Sequence, residues 1–471
     1  MEKVDKKLLF VASGRVLPRR HRVGARRELR PRITRMPAFS TRRIILGAIL
    51  LVVAGLAVVA AVQATRSRPR FIRQVAWAGT GVWLKAETHT QTGFSDGAHS
   101  IDEIADHAVA NGCDALAITD HSDGDLKAAT PEYHAAIAAT RTRVQPQGLM
   151  LIAGFEWNPP PGKGQDHAAV LLPDAWDTAT LTATFKERFD DLNKEGENPE
   201  LATAAFAWLK ANNPAGSPLP VIFLNHPGRR AADVNDVFQR LSFLLKQGPG
   251  IVVGAEGAPG HQHATPLGAY GSAIKPEDRW DPSVVGLGAV WDRLLEGGTD
   301  AWAALATSDF HSDENGDYWP CQFSYTAIYA PERSTAGVLR ALRAGTFVGV
   351  HGGIVRSADL RVSAPGLPRA AIAGEAIAVP SGSRLSVDLV LDVPAKDWSG
   401  ADNHIDALDL IGVTPDAARI VGTGAPDPTG RWHTELDVPA TGIVLRARGR
   451  RVIEDGPDLM FYTNPVRIAV R

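Results

Sequence analysis

From Val82 to about Ala330 the chain alternates short apolar runs with amphipathic stretches. This alternation is typical of repeated βα units, in which a strand is followed by a helix. We predict seven strands, at Val82–His89, Ala115–Asp120, Leu149–Glu156, His167–Leu172, Pro220–His226, Ile251–Glu256 and Ala303–Asp309. The spacing of apolar residues predicts helices at Ile101–Asn111, Pro131–Val144, Leu201–Asn212, Ala231–Lys246, Val285–Glu296 and Ser334–Ala344. A Ser100-x-x-Glu103 capping box begins the first helix, and Gly345 ends the last.

After about Val355 the pattern changes to alternating segments separated by Pro and Gly. In Arg384–Val393, every second residue is apolar, which predicts a strand with one buried face. Further strand-like segments are Ile405–Ile411, Trp432–Val438, Gly442–Arg448 and Pro465–Val470. We therefore predict an α/β chain, with a βα domain over residues 81–355 and a small antiparallel β-sandwich over residues 356–471.

The N-terminal segment Ile44–Ala64 contains no charged residue. A stretch of about 20 apolar residues suits a membrane span, and the basic residues 1–43 before it predict a cytoplasmic tail. Residues 65–80 would be a linker to a folded part outside the cytoplasm. Alternatively, translation starts at Met36 and Arg42-Arg43 belongs to a cleaved export signal.

Composition limits the kinds of protein that this chain can be. The 471 residues are 44% hydrophobic, which is enough for a substantial core. Residues 1–43 carry 14 Lys and Arg against 3 acids, so with a net charge of −2 the rest of the chain sums to about −13 and is not expected to bind nucleic acid. Cys113 and Cys321 could form one bridge, although we interpret Cys113 as a buried thiol. A metal ion would therefore need His and carboxylate ligands.

Polar residues stand at the ends of nearly all the predicted strands, where a core strand would not need them. Glu87-x-His89 and Asp309-x-His311 each have a spacing of two, which places both side chains on one side of a strand. The other candidates are Asp120, His121, Glu156, His167 and His226. In a βα barrel the strand ends meet on one face, so these donors could surround a divalent ion such as zinc, manganese or iron.

Several of these residues lie in recognisable motifs. Glu87-Thr88-His89-Thr90, followed by Ser95-Asp96-Gly97, resembles the first motif of the PHP (polymerase and histidinol phosphatase) superfamily, which is normally His-x-His followed by Ser-Asp-Gly. The later motifs resemble, in order, Ala117-Ile118-Thr119-Asp120-His121, Gly154-Phe155-Glu156, His167, Asn225-His226-Pro227 and Ser308-Asp309-Phe310-His311. Two features depart from the family: Glu87 stands where the first histidine is expected, and two additional residues separate His89 from Ser95.

The resemblance implies a distorted (β/α)7 barrel that binds two or three divalent ions and acts as a metal-dependent hydrolase. The ligands it implies are Glu87, His89, Asp96, Asp120, His121, Glu156, His167, His226, Asp309 and His311. Glu156 would bridge two ions, with His89 and Asp309 on one and His167 and His226 on the other. His121 and His311 would hold a third ion, and Asp120 could instead orient a neighbouring ligand.

Beyond the metal ligands, His261 and Arg229 are candidates for substrate contact, with Arg230 as a further possible anion clamp. We expect a phosphoesterase acting on a small organic phosphate. The alternatives are a carbamate, ester or amide hydrolase, or a metal-bearing binding module. Trp291-Asp292-Arg293-Leu294-Leu295 and Phe461-Tyr462-Thr463-Asn464-Pro465 are similar to the CehA/McbA subgroup, some members of which hydrolyse carbamate esters. The expected partners are a small-molecule substrate and a membrane, with no protein partner.

Overall fold

The computed structural model describes residues 41–66, 68–121, 130–160, 162, 166–176, 178–190, 198–260, 267 and 275–471. The chain divides into two compact units, Met1–Gln63 and Ala64–Arg471. The predicted boundaries at residues 80 and 355 are finer than this division and stay predictions.

Helix α1, Thr41–Arg66, covers the apolar N-terminal segment. Within the described residues no helix is long and apolar enough to cross a membrane. The predicted membrane localisation is therefore wrong; the start at Met36 lies outside the described residues.

The first part of the larger unit contains the predicted alternation of strands and helices. Its strands are β1 Arg70–Arg73, β2 Val82–Glu87, β3 Ala115–Ile118, β4 Met150–Trp157, β5 His167–Leu171, β6 Val221–Asn225 and β7 Val252–Ala255. Its helices are α2 Ile101–Ala110, α3 Pro131–Val144, α4 Thr178–Phe189, α5 Pro199–Ala211, α6 Val234–Gln247, α7 Pro282–Val285 and α8 Val290–Glu296. The capping box of α2 is formed, with the Ser100 side chain accepting from the Glu103 N–H.

One predicted strand, Ala303–Asp309, does not form a regular strand. The neighbouring chain instead makes isolated parallel bridges between Gly254 and Trp302 and between Ala258 and Ala306. It approaches β7 so closely that a Cβ on Gly254 would collide with the carbonyl oxygen of Trp302. Thr90, just beyond β2, also forms a parallel bridge with Phe310.

The sheet of this unit mixes parallel and antiparallel pairs. Strand β3 pairs in parallel with β2 and β4, and β6 pairs in parallel with β7. Strand β5 lies antiparallel to both of its neighbours, β4 and β6. On the other side, β2 pairs with β8 (Ser324–Ala330), and after α9 (Thr335–Ala344) the chain adds β9 (Phe347–His351), which pairs with β8. Gly345 ends α9 with a φ of +76°, as predicted for a glycine stop.

The C-terminal strands are β10 Ser357–Ser363, β11 Ala371–Ile372, β12 Ala376–Val379, β13 Arg384–Asp392, β14 Ala407–Val413, β15 Ala418–Gly424, β16 Arg431–Asp437, β17 Ile443–Arg451, β18 Leu459–Thr463 and β19 Val466–Val470. Strands β11, β10, β13 and β16 form a separate antiparallel sheet. Alternate residues of β13 are buried, as its sequence pattern predicts. Most of the other strands continue the first sheet, because β18 pairs with β9. The mixed α/β class with a separate antiparallel sheet is thereby confirmed.

Cys113 and Cys321 form a disulfide whose Cα atoms are 5.8 Å apart. The interpretation of Cys113 as a buried thiol is therefore wrong, and the single bridge left open by the sequence is present. The bond joins the turn after α2 to the loop between His311 and β8. No local sequence pattern predicts this disulfide, because the two cysteines are separated by 208 positions.

A buried ion pair connects α8 to β17. The Arg446 guanidinium donates to both carboxylate oxygens of Asp292, at 2.8 and 2.9 Å, and both side chains are fully buried. The same guanidinium lies over the Trp291 ring, 4.8 Å from its centroid. Because two buried charges satisfy each other here, removal of either one would leave the other uncompensated.

Replacement of both cysteines, Cys113→Ala with Cys321→Ala, should lower the free energy of unfolding by about 2–5 kcal/mol, because the bridge closes a very long loop in the unfolded chain. Urea unfolding of the whole chain without reductant measures the change. As a control, dithiothreitol should destabilise the native protein by a similar amount and leave the double variant unchanged. Equal unfolding midpoints for the native protein and the double variant would contradict the prediction.

Asp292→Ala should lower the free energy of unfolding by about 3–5 kcal/mol, because it leaves the Arg446 charge buried without its partner. The matched control is Asp409→Ala, which removes a pair with Arg448 whose side chains are 23% and 27% exposed. Such a partly exposed pair should contribute less than about 1 kcal/mol. Similar losses in the two variants, compared by urea unfolding, would refute a special role for the buried pair.

Candidate metal centre

The directions of the strands bring their polar ends to one edge of the sheet, which we call the rim. Strands β2, β3 and β4 are parallel, so the residues that follow them lie at the same edge. Because β5 is antiparallel to β4, it is the first residue of β5, His167, that lies at this edge. Strand β6 reverses again, and β6 and β7 both end at the rim, with Asn225 and Glu256 there.

The Glu156 carboxylate lies at the centre of this rim, and its side chain is only 1% exposed. Four imidazole nitrogens lie near it, that of His167 at 3.1 Å and those of His89, His121 and His226 at 3.3 Å. Two side-chain amides donate to it, from Asn225 at 2.8 Å and from Gln91 at 2.7 Å. A buried carboxylate needs such compensation, because an isolated charge is costly away from water.

Three groups of donor atoms, each within 4.8 Å, could hold a metal ion. The inner cluster contains His89, His226 and Asp309, all buried, and the middle cluster contains His121, Glu156 and His167. The outer cluster contains Asp96, His121 and His311, and its Asp96 side chain is 57% exposed. His89 and Asp309 share a cluster, as the sequence analysis expected. His226 lies in the same cluster as these two residues, and it also shares Glu156 Oε1 with His167, at 3.3 and 3.1 Å. His121 belongs to two clusters.

Two of the predicted ligands, Glu87 and Asp120, have other hydrogen-bond partners. The Glu87 carboxylate accepts backbone N–H groups from Thr88, His89 and Ser308, at 2.8 to 2.9 Å. The Asp120 carboxylate accepts from the Thr92 N–H and from the hydroxyls of Thr92 and Ser95. Neither carboxylate belongs to the three clusters among the described residues. His261 lies outside the described residues.

Arg229 lies within the centre and not at its edge. Its guanidinium donates to Asp309 Oδ2 at 2.5 Å, and its side chain is 10% exposed. This contact holds the carboxylate of a candidate ligand. Arg230, the next residue, is exposed.

The sequence analysis did not identify Glu256, which contacts His89 and the backbone of His226 in the inner cluster. Its carboxylate lies 2.8 Å from His89 Nδ1 and accepts from the Thr307 hydroxyl and the His226 N–H. His89 Nε2 thus faces the cluster, 3.2 Å from Asp309, while Nδ1 is held by a carboxylate. This arrangement is common for histidines that bind metal ions. The signal was present, since Glu256 ends a predicted strand as the other candidates do.

Two candidate ligands have unusual backbone conformations. His226 has a φ of +28° and Asp309 a φ of +45°, and the third such non-glycine residue among those described is Cys321. Positive φ is uncommon for residues with a side chain and often occurs at functional sites, where the surrounding structure maintains it.

Negative charge is concentrated around His89. Burial alone would lower the pKa of His89, but three neighbouring carboxylates raise it well above its ordinary value. Burial alone would raise the pKa of Glu156, but the surrounding imidazoles hold it well below its usual range. Burial together with the charge of Arg229 lowers the pKa of His226 to about 3. A neutral imidazole beside carboxylates is the donor set that borderline divalent cations prefer.

Residues 87–211 match the family model of the PHP domain. This match confirms the resemblance to the PHP superfamily drawn from the motifs, and with it the class of metal-dependent hydrolases that the resemblance implied. The narrower similarity to the CehA/McbA subgroup stays a prediction. No curated protein matches the sequence.

Two solved structures are similar to this chain at low identity. One is a two-domain protein from Bacteroides vulgatus containing a predicted PHP-like metal-dependent phosphoesterase, with 17% identity, 83% of this chain and 95% of that chain covered, and a TM-score of 0.36. The other is an amidohydrolase from Chromobacterium violaceum with bound SO4 and no metal, with 17% identity, 49% and 89% covered, and a TM-score of 0.31. Both TM-scores are below 0.5.

Glu256→Gln should weaken the binding of divalent ions by about 10- to 100-fold, because the amide cannot accept all three of the hydrogen bonds that hold His89 and the His226 backbone. Isothermal titration calorimetry with Mn²⁺ and Zn²⁺ measures the change. Glu200→Gln, on an exposed turn of α5, is the matched control and should bind as the native protein does. Native affinity in the Glu256 variant would show that this contact does not support the centre.

Proposed function

We propose that the protein is a metal-dependent phosphoesterase that acts on small organic phosphates. The observation that carries this proposal is the set of three adjoining clusters of imidazole and carboxylate donors on one rim, two of which share His121. Adjoining sites of this kind suit phosphate chemistry, in which several ions bind oxygens of one substrate group.

The donor set fits two or three divalent ions. Both cysteines are in the disulfide, so the ligands are imidazole nitrogens and carboxylate oxygens, as zinc, manganese and iron accept. His89, His226 and Asp309 would hold one ion, His121, Glu156 and His167 a second, and Asp96 with His311 would complete a third position beside His121. When bound, divalent ions activate water as a nucleophile and offset negative charge on the substrate.

The chain itself would orient these ligands and limit access to them. Arg229 holds Asp309, Glu256 holds His89, and Asn225 anchors Glu156. The inner cluster is buried, whereas the outer cluster contains the exposed Asp96. Substrate would therefore approach from the outer cluster.

We assign this activity to a domain of residues 81–355 with the form of a distorted seven-stranded barrel, followed by a β-sandwich domain of residues 356–471. Strands β2 to β7 pair in chain order, and the segment after α8 supports closure of the barrel. Its bridges reach β7 at Gly254 on one side and Thr90 beyond β2 on the other. The segment thus takes the place of a seventh strand.

The proposal is tested by release of p-nitrophenol from its phosphate monoester and diester with added Mn²⁺ or Zn²⁺. Native protein should turn over at least one of them, and chelation should abolish the activity. Asp309→Asn should reduce kcat/KM by at least about 100-fold, because the change removes a carboxylate from the inner cluster and affects its partner Arg229. Asp174→Asn, an exposed residue, is the control and should retain native activity.

Other outcomes would favour the remaining functions. Hydrolysis of p-nitrophenyl acetate or naphthyl carbamates without phosphoester turnover would refute the phosphoesterase and favour an ester or carbamate hydrolase on the same ligands. Bound metal without turnover of any of these substrates would favour a binding module.

A further inference from the structure

Gln91 lies in the middle of the candidate metal centre, although no motif assigned it a role. Its side chain is completely buried. Its Nε2 lies 2.7 Å from Glu156 Oε2 and 3.3 Å from His89 Nε2. We infer that Gln91 is a metal-site residue of this protein, that its amide oxygen serves as a ligand beside His89 and Glu156, and that it sets the ion preference of that position. The inference rests on the proposed function and deepens it.

The spacing of the first motif supports this role. If Glu87 and His89 are the pair, two additional residues precede Ser95, and one of the pair is unsuitable, because three backbone N–H groups occupy the Glu87 carboxylate. If His89 and Gln91 instead correspond to the two histidines of the motif, the spacing of two between them is kept. The number of residues before Ser95 then also agrees with the family motif. The departure from the family is then one substitution, a glutamine in place of the second histidine.

The backbone holds Gln91 in place from two sides. Its N–H donates to the Phe310 carbonyl oxygen at 2.9 Å, which ties it to the segment that carries Asp309 and His311. On the other side, Gly97 packs directly on the Gln91 peptide, and a Cβ at Gly97 would lie 2.5 Å from the Gln91 carbonyl oxygen. A residue held between two ligand-bearing segments has little freedom except rotation of its amide.

The hydrogen bonds of Ser95 show what that rotation would do. The Ser95 hydroxyl lies 2.6 Å from Asp120 Oδ1 and 3.0 Å from Gln91 Oε1, but it has one proton to donate. The charged and closer Asp120 is the stronger acceptor. A Gln91 amide turned by 180° would instead donate its NH2 to Ser95 Oγ, and both contacts of the hydroxyl would then be satisfied.

The turned amide places Oε1 against Glu156 Oε2, where two oxygens would repel unless a cation lay between them. The amide therefore has two orientations with different uses. With Nε2 towards Glu156, it compensates a buried carboxylate; with Oε1 towards Glu156, it contributes an oxygen ligand to an ion.

An amide oxygen in place of an imidazole changes the ion that the position prefers. Carbonyl and carboxylate oxygens suit harder ions such as Mn²⁺, and imidazole suits Zn²⁺ better. Gln91 should thus shift this position towards Mn²⁺ and weaken its binding of Zn²⁺. Gln91→His should raise the affinity for Zn²⁺ by at least about 10-fold relative to native protein.

Gln91→Glu separates a ligand from a purely structural residue. Without added ion, the new carboxylate would face Glu156 and lower the melting temperature; Mn²⁺ would relieve the repulsion and restore it. We expect the rise in melting temperature caused by Mn²⁺ to be larger in this variant than in native protein. If Gln91 only donates a hydrogen bond to Glu156, the melting temperature of the variant would lie below that of native protein by the same amount with and without Mn²⁺.

The experiment measures metal content, Mn²⁺ and Zn²⁺ affinity, and melting temperature for the native chain, Gln91→His, Gln91→Glu and the exposed control Gln147→Glu. A larger Mn²⁺ shift in Gln91→Glu and tighter Zn²⁺ binding in Gln91→His, with a native-like control, support the inference. If native protein binds metal and the variants show the same shifts in melting temperature and the same affinities as native protein, the role of Gln91 is overturned. The proposed function is not affected by that result. Failure of the native protein to bind either ion overturns the proposed function and this inference with it.

Discussion

The centre depends on one constraint, which is that the Glu156 carboxylate is buried and must be compensated. Four imidazoles and two side-chain amides supply its partners within 2.7 to 3.3 Å. These partners come from the ends of four strands, β2, β3, β5 and β6, because no single loop can place so many donors around one group. The mixed strand directions meet this requirement, since reversal of β5 places His167 at the rim occupied by the ends of its neighbours.

Much of this arrangement could be predicted from the sequence, because the signals are local. Alternating apolar runs indicate strands, and a histidine or carboxylate directly after such a run indicates a rim position, as with Glu156 and His121. Pairings through space could not be predicted in this way. The sequence analysis grouped His226 with His167, and both imidazoles do contact Glu156 Oε1. The structure also brings His226 together with His89 and Asp309, because which imidazole meets which carboxylate depends on side-chain direction.

Two contacts could not be read from the sequence. Glu87 stands where the motif has a histidine, which made it a candidate ligand. In the structure, backbone N–H groups at the end of β2 and at Ser308 donate to its carboxylate. The disulfide was likewise left open, because neither cysteine has a local pattern that identifies its partner. Ser308 and Cys321, which contact Glu87 and Cys113, are both distant from them in sequence.

The inner and outer clusters are held by different means, and this difference bears on how the site would work. Sheet ends and buried carboxylates position the inner cluster. The outer cluster depends on the loop after His311, where Asp317 accepts the backbone N–H groups of His311 and Ser312. The Cys113–Cys321 bond fixes the far end of that loop. A covalent link therefore constrains the loop that follows His311 in the more exposed outer cluster, whereas burial constrains the inner cluster.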